Sequence, residues 1–434
     1  MTDLIILGLV GACALVSLRH PWIGVLGWTW ISLMNPHRLG WRTQEMPVAL
    51  IIAACLLLGF LLTKDRRNPL PGPSAWMLLL FMVWMCITFP FSFFPDAAYS
   101  MWDRVMKIDF MVLVALSLIY KRSQIIALTG VAVASLAFYG VKGGIFTILT
   151  GGNHRVWGPM ESFIEGNNEL ALALIVTIPL MRFLQTQLKR PWERHAMTGA
   201  MLLCAASAIG SHSRGAFVAI AAMGAMMWWR GKHKFMFGLL LVVGAAAVMM
   251  LMPEHYWERM NTIKTYEEDG SALGRINAWW MAFNLANDNF FGGGYAIYNV
   301  SVFMRYAPDP LDVKAAHSIY FQVLGEHGWI GFTLFMLMWL FTWRDAGWLR
   351  KHAAGRPETE WAATLGAMSQ VALVGYAVGG AFLSLAYFDL PYNILILTAA
   401  ARRWMVKRGW EAEAEEAEAR NAEKAKKKSG MVTT

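Results

Sequence analysis

Arg214, Arg275 and His317 are the residues whose types and settings could do chemistry. Arg214 follows Ser211-His212-Ser213 and opens an apolar run with no other charge before Arg230. A serine cap followed by a guanidinium at a helix start is an anion site, because unpaired N–H groups and the helix dipole both favour negative charge there. The competing reading is an arginine snorkelling to the membrane interface. Arg275 stands in Ser271-Ala272-Leu273-Gly274-Arg275, in the first turn of an amphipathic segment. It could bind an anion or pair with Glu267-Glu268-Asp269. His317 lies at the mouth of an apolar run that continues to about Trp343. A helix N-terminus disfavours the imidazolium, which leaves a neutral ring able to act as a general base near pH 7. The alternative is a structural histidine bonded to a loop carbonyl.

Two fixed guanidinium groups suit a phosphate or pyrophosphate, and an imidazole beside them can take a proton from an attacking hydroxyl. Together they describe transfer of a group from a polyprenyl pyrophosphate to an alcohol. The arginines take the charge that develops on the leaving group, a role a metal fills elsewhere. No DxD motif or His/Cys cluster offers a metal site, so the expected reaction uses no metal and no cofactor and inverts the anomeric carbon. Substrate contacts are expected from Arg214 and Arg275, with Arg38, Lys142, Arg155, Asn167, Tyr320 and Trp279 as further candidates. Asn167, in Gly166-Asn167-Asn168-Glu169, could equally cap a helix. Glu326 and His327 lie about 13–15 Å further along the helix axis from His317 and read as a buried structural pair.

These residues must be positioned by membrane helices. The chain has 434 residues, of which 57% are hydrophobic and only 15% charged, and the apolar residues fall in blocks of spanning length. A polytopic all-α membrane protein follows, and a β-barrel, with its short alternating strands, does not. The net charge of +9 sits in short loops between spans, where it sets topology, and no aromatic-basic motif makes nucleic acid a partner. Cys13, Cys55, Cys86 and Cys204 are each alone in an apolar stretch and form neither a disulfide frame nor a metal site. Leu4 to Val16 lacks a basic flank and runs into further spans, so it reads as part of the bundle.

Basic clusters at Lys64–Arg67, Lys121-Arg122, Lys189–Arg194, Arg230–Lys234, Arg344–Lys351 and Arg402–Arg408 mark one face, the cytoplasmic one by the positive-inside rule. Spans are expected near residues 46–63, 73–90, 104–120, 123–140, 168–186, 196–210, 214–229, 235–252, 318–343, 361–385 and 390–403. Residues 4–34, broken at Arg19-His20-Pro21, add a bent or re-entrant pair, for about twelve spans in all. The other face holds 35–45, 91–103, 141–167, a tight turn at 210–213 and a long aromatic-rich loop, with helices expected at Trp257–Tyr266 and Leu273–Asn289. The resulting organisation is N-terminal membrane helices over 1–252, a lid loop over 253–316, C-terminal membrane helices over 317–405 and a charged cytoplasmic tail over 406–434, whose Trp410–Lys428 stretch reads as a helix or a solvated tail.

Arg214-Gly215-Ala216 opening a span resembles the O-antigen ligase and polymerase superfamily of bacterial membrane proteins. So do Gly274-Arg275 with Trp279-Trp280 leading to Gly292-Gly293-Gly294-Tyr295, and His317-Ser318-x-Tyr320 leading to Glu326-x-Gly328. Asn35-Pro36-His37-Arg38, Tyr139-Gly140-Val141-Lys142-Gly143-Gly144 and Arg155-Val156-Trp157-Gly158-Pro159 are similar to a branch of O-glycosylation ligases found beside exosortase systems. The resemblance covers most of the chain, with Ser318 where many members have Asn. It implies an undecaprenyl pyrophosphate-linked glycan as donor and a hydroxyl of the lipid A core as acceptor. Arg214 and Arg275 would then bind the pyrophosphate and His317 would be the base, on the periplasmic side of the inner membrane. A protein O-oligosaccharyltransferase or polysaccharide polymerase would use the same donor. A transporter of lipid-linked glycan is the alternative from another class, against which no inverted repeat is evident.

Overall fold

The computed structural model describes residues 2–230 and 270–430. Among them every regular element is helical: α1 (Thr2–Arg19), α2 (Pro21–Met34), α3 (Val48–Leu62), α4 (Pro73–Thr88), α5 (Pro95–Leu118), α6 (Arg122–Leu149), α7 (Asn167–Gln187), α8 (Pro191–Gly210), α9 (Arg214–Arg230), α10 (Gly270–Asp288), α11 (Val300–Tyr306), α12 (Ile319–His352), α13 (Glu360–Gly380), α14 (Asp389–Val406) and α15 (Gly409–Gly430). Prolines open α2, α4, α5 and α8 at positions whose N–H would have no helical partner. Among the described residues six helices are long and apolar enough to cross a membrane: α1, α4 with its 3₁₀ extension, α6, α7, α12 and α13. The chain is a multi-pass membrane protein, and leucines such as Leu4, Leu50, Leu62 and Leu202 face outward, as lipid contact requires.

Several expected boundaries move. Residues 4–34 are two helices hinged at His20-Pro21, and α1 alone reaches spanning length. α5 begins at Pro95, so Arg104 lies inside a helix and not at its start. α6 runs to Leu149, which places Lys142 on a helix and not in a 141–167 loop. The glycines that suggested a loop serve close packing instead: a Cβ on Gly143 would strike Ser207 and Val156, and one on Gly144 the Leu203 carbonyl of α8. α13 stops at Gly380, and the apolar residues after it form a loop from Ala381 to Phe388. The span expected at 235–252 and the helix at 257–266 lie outside the described residues.

The basic loops gather at one end of the bundle. Arg403 donates to the carbonyls of Leu116 (2.7 Å), Ile119 (2.8 Å) and Asn68 (2.9 Å). α15 docks on this end: Glu416 pairs with Lys121, and Glu413 accepts from the Arg122 N–H and the Trp404 indole. The first half of the tail is therefore a docked helix, the helical one of the two expected forms and not the solvated one.

At the opposite end α10 packs on α12, with Trp329 donating to Asn287 at 2.9 Å. α12 is interrupted at Gly328, which has φ +65°, ψ −171°. The break frees carbonyls at Gly325 and Glu326, which accept from the N–H groups of Gly293 (2.9 Å) and Gly294 (3.0 Å). The Gly293 carbonyl in turn accepts from Phe93 N–H at 3.0 Å. Only glycine permits this backbone crossing: a Cβ on Gly292 would lie 2.6 Å from Gly328 N.

Candidate active site

Arg214 and Arg275 meet although they come from distant parts of the chain. The turn Ser211–Ser213 is buried, and the Ser213 hydroxyl accepts from Ala216 N–H at 3.2 Å, the helix cap that starts α9 with Arg214 as its first residue. Asn167, at the start of α7, donates to the Ser211 carbonyl at 2.7 Å and fixes that turn. His212 reaches the Gly152 carbonyl at 2.9 Å and fixes its other side. Arg214, Arg275, Asn168, Ser213, Gly215, Phe382 and Leu383 line one small cavity. Its volume is about 30 Å³, room for a water or two between the guanidinium groups.

Arg275 is delivered by α10, and His317 by the segment that runs back along α10 from α11. Asn277 clamps this return: its amide N donates to the carbonyls of Asp309 (2.7 Å) and Asp312 (3.1 Å), and its amide O accepts from Asp309 N–H (2.8 Å). Asn284 donates to the Tyr306 carbonyl at 2.9 Å. The Trp279 indole donates to the buried Ala316 carbonyl at 2.7 Å and stacks on Phe321 at 5.2 Å and 7°. Gly274 lets the return pass closely, since a Cβ there would lie 2.5 Å from Lys314 Cδ.

His317 takes φ +42°, the left-handed region a non-glycine residue enters at a cost of order 1–2 kcal/mol. Two contacts hold it there: the Trp279 bond one residue earlier and its own N–H donated to Ser384 Oγ at 3.0 Å. Ser384 adjoins Leu383, which lines the arginine cavity, so one loop touches both. His317 Nδ1 is buried without a hydrogen-bond partner, so the ring is not the carbonyl-bonded structural histidine. Burial, then the Arg275 guanidinium and the Lys314 ammonium, hold this imidazole below its ordinary value. The group is therefore neutral at pH 7, as a general base must be.

The other expected contacts divide. Trp279 supports the segment bearing His317. Tyr320 donates its hydroxyl to the Ala377 carbonyl at 2.8 Å and ties α12 to α13. Asn167 is the clamp on the turn, and its neighbour Asn168 faces the cavity. Arg38, Lys142 and Arg155 come together elsewhere, around a separate cavity. Glu326 and His327 are buried: Tyr387 donates to Glu326 at 2.5 Å, and Thr88 Oγ1 lies 2.9 Å from His327 Nδ1. The acidic run at 267–269, offered as a partner for Arg275, lies outside the described residues. Phe382, Leu383 and Ser384 were hidden in an expected span. The signals for them were Gly379-Gly380 and Asp389-Leu390-Pro391, which bracket a break.

Residues 199–336 match the family model described as O-antigen ligase, a stretch that contains Arg214, Arg275 and His317. Residues 1–189 match a model described as a family of unknown function (DUF5935). No curated protein matches the chain.

Proposed function

From the premise that this chain belongs to the O-antigen ligase superfamily, we propose that it is a membrane glycosyltransferase that moves a glycan from undecaprenyl pyrophosphate to a hydroxyl of the lipid A core. The observation that carries the reading is the shared cavity of Arg214 and Arg275, joined through the Leu383-Ser384 loop to an unbonded, neutral imidazole. The donor pyrophosphate lies between the two guanidinium groups. His317 takes the proton of the acceptor hydroxyl as its oxygen attacks the anomeric carbon. The new carbon–oxygen bond forms as the bond to pyrophosphate breaks, and the arginines receive the charge on the leaving group. Attack opposite the leaving group inverts the anomeric centre, and no metal takes part. The positive-inside rule supports a cytoplasmic basic end and, with it, a site on the periplasmic side of the inner membrane. Residues 270–316 act there as part of a lid, and about twelve spans cross the membrane.

The test is transfer by purified protein in detergent, with one lipid-linked donor offered to lipid A core, a peptide and a second lipid-linked glycan. Transfer to the core alone supports the ligase. Transfer to peptide or to the second glycan moves the reading to a protein O-oligosaccharyltransferase or a polymerase. The buried carboxyls of Asp109, whose oxygens have no hydrogen-bond partner, and Glu326 favour the transporter alternative, because such groups mark ion pathways in transporters. Covalent transfer without a second compartment excludes it.

A further inference from the structure

The arginine cavity is not the roomiest on this face. Between the 3₁₀ turn Pro36–Leu39, α6 and the loop after it lies a cavity of about 500 Å³, within the range of small-ligand pockets. It shares no lining residue with the arginine cavity, and it lies wholly inside the segment matching a family of unknown function. Three cations line it, Arg38, Lys142 and Arg155, against one carboxylate, Glu161. Glu161 is committed to Arg38. Lys142 and Arg155 have no ion-pair partner among the described residues. The neighbouring cavity, on the other side of the same turn, is balanced: Arg104 and Lys107 there face Asp389, and Lys107 also pairs with Asp103. The excess positive charge thus belongs to this pocket and not to that neighbour.

That pocket also presents an aromatic wall. Trp157 is 59% exposed at its edge, next to Phe146. A flat apolar ring beside two cations without partners matches a sugar whose C–H face packs on the indole and whose anionic substituent meets the charges. We propose that this cavity is a second, preformed subsite for a saccharide carrying a phosphate group, held by Lys142 and Arg155 with Trp157 as its platform. It rests on the glycan-transfer reading for the choice of a sugar. The anionic group could come from a glycan or from a phospholipid headgroup. The indole favours the glycan, since a glycerol or ethanolamine headgroup offers no ring to stack.

The test is binding, which needs no turnover. Full-length protein in phosphatidylcholine nanodiscs is titrated with a synthetic trisaccharide bearing one phosphate monoester, and with its dephosphorylated twin. Wild type should prefer the phosphorylated probe by about tenfold, the worth of one charge-assisted hydrogen bond. Lys142→Gln with Arg155→Gln should erase that preference, and Trp157→Ala should weaken both probes alike. His317→Ala should leave binding unchanged, so loss of transfer and loss of this site are read separately. Equal binding of the two probes by wild type, or a preference that survives the double substitution, overturns the proposal. Displacement of the probe by phosphatidylglycerol added to the nanodiscs overturns the saccharide assignment in favour of a headgroup. Lys142 and Arg155 are exposed, so unchanged melting of the double variant is expected and checks its folding.

Discussion

Trp279→Phe isolates the scaffold of His317 from its chemistry. Phenylalanine keeps a ring to stack on Phe321 but cannot donate to the Ala316 carbonyl, which the indole N–H reaches at 2.7 Å. Ala316 is fully buried, so the orphaned carbonyl loses its partner with no water to replace it. Such a loss costs about 1–3 kcal/mol. His317 follows directly in a left-handed conformation that this bond and the Ser384 contact help to hold in place. If about 1.4 kcal/mol of that loss is felt as misplacement of the base, the chemical step slows about tenfold. Steady-state transfer kinetics should show kcat down by about that factor, with KM for the lipid-linked donor little changed, because Arg214 and Arg275 are untouched. A variant that melts lower but turns over at the wild-type rate would refute the link between Trp279 and the base. A change in donor KM alone would place Trp279 in substrate binding instead.

The pH–rate profile should have its acidic limb below pH 6.5. The folded imidazole is held below its ordinary value, so it protonates and loses base function only as pH falls past that lowered value. Lys314→Gln removes one of the positive neighbours and should move the limb to higher pH; a limb that stays put or moves down contradicts the assignment. Arg275→Lys keeps the charge but loses the planar fork, and transfer should fall about 10- to 100-fold. Activity should survive EDTA, and a strict loss restored by magnesium would overturn the metal-free reaction. Gly328→Ala forces a Cβ within 2.5 Å of the Phe290 carbonyl at a positive φ and should destabilise by about 3 kcal/mol or more. Gly130→Ala, with nothing within 4 Å, should leave thermal melting in detergent nearly unchanged.

Membrane class was legible from the blocks of apolar residues, because lipid leaves a helix few alternatives. The amphipathic helix at Leu273–Asn289 was legible in the same way, and α10 ends within a residue of its expected end. Boundaries were less legible where apolar residues continue past the helix. The Ala381–Phe388 loop reads like more membrane, because its side chains bury against the bundle. Arg214, Arg275 and His317 stood out by type, since charge at a helix mouth is rare without a reason. Their neighbours did not: Asn167 and Asn168 are adjacent and chemically identical, and only the pitch of α7 sends one to Ser211 and the other to the cavity. Lys142 seemed to belong with a glycine-rich loop, because glycines that let two helices touch look the same in sequence as glycines that turn a chain.

The crossing of the glycine run over the break in α12 bears on how this protein is made. The Phe93 N–H, the Gly293 carbonyl and N–H, and the Gly325 carbonyl belong to three stretches that leave the ribosome far apart in time. The turn between α4 and α5 cannot complete its bonding until residue 293 has been synthesised. The N–H groups of Gly293 and Gly294 likewise wait for the Gly325 and Glu326 carbonyls, which are made later. Insertion of the early helices therefore ends in a provisional arrangement, and this crossing closes only after residues 293–326 have been made.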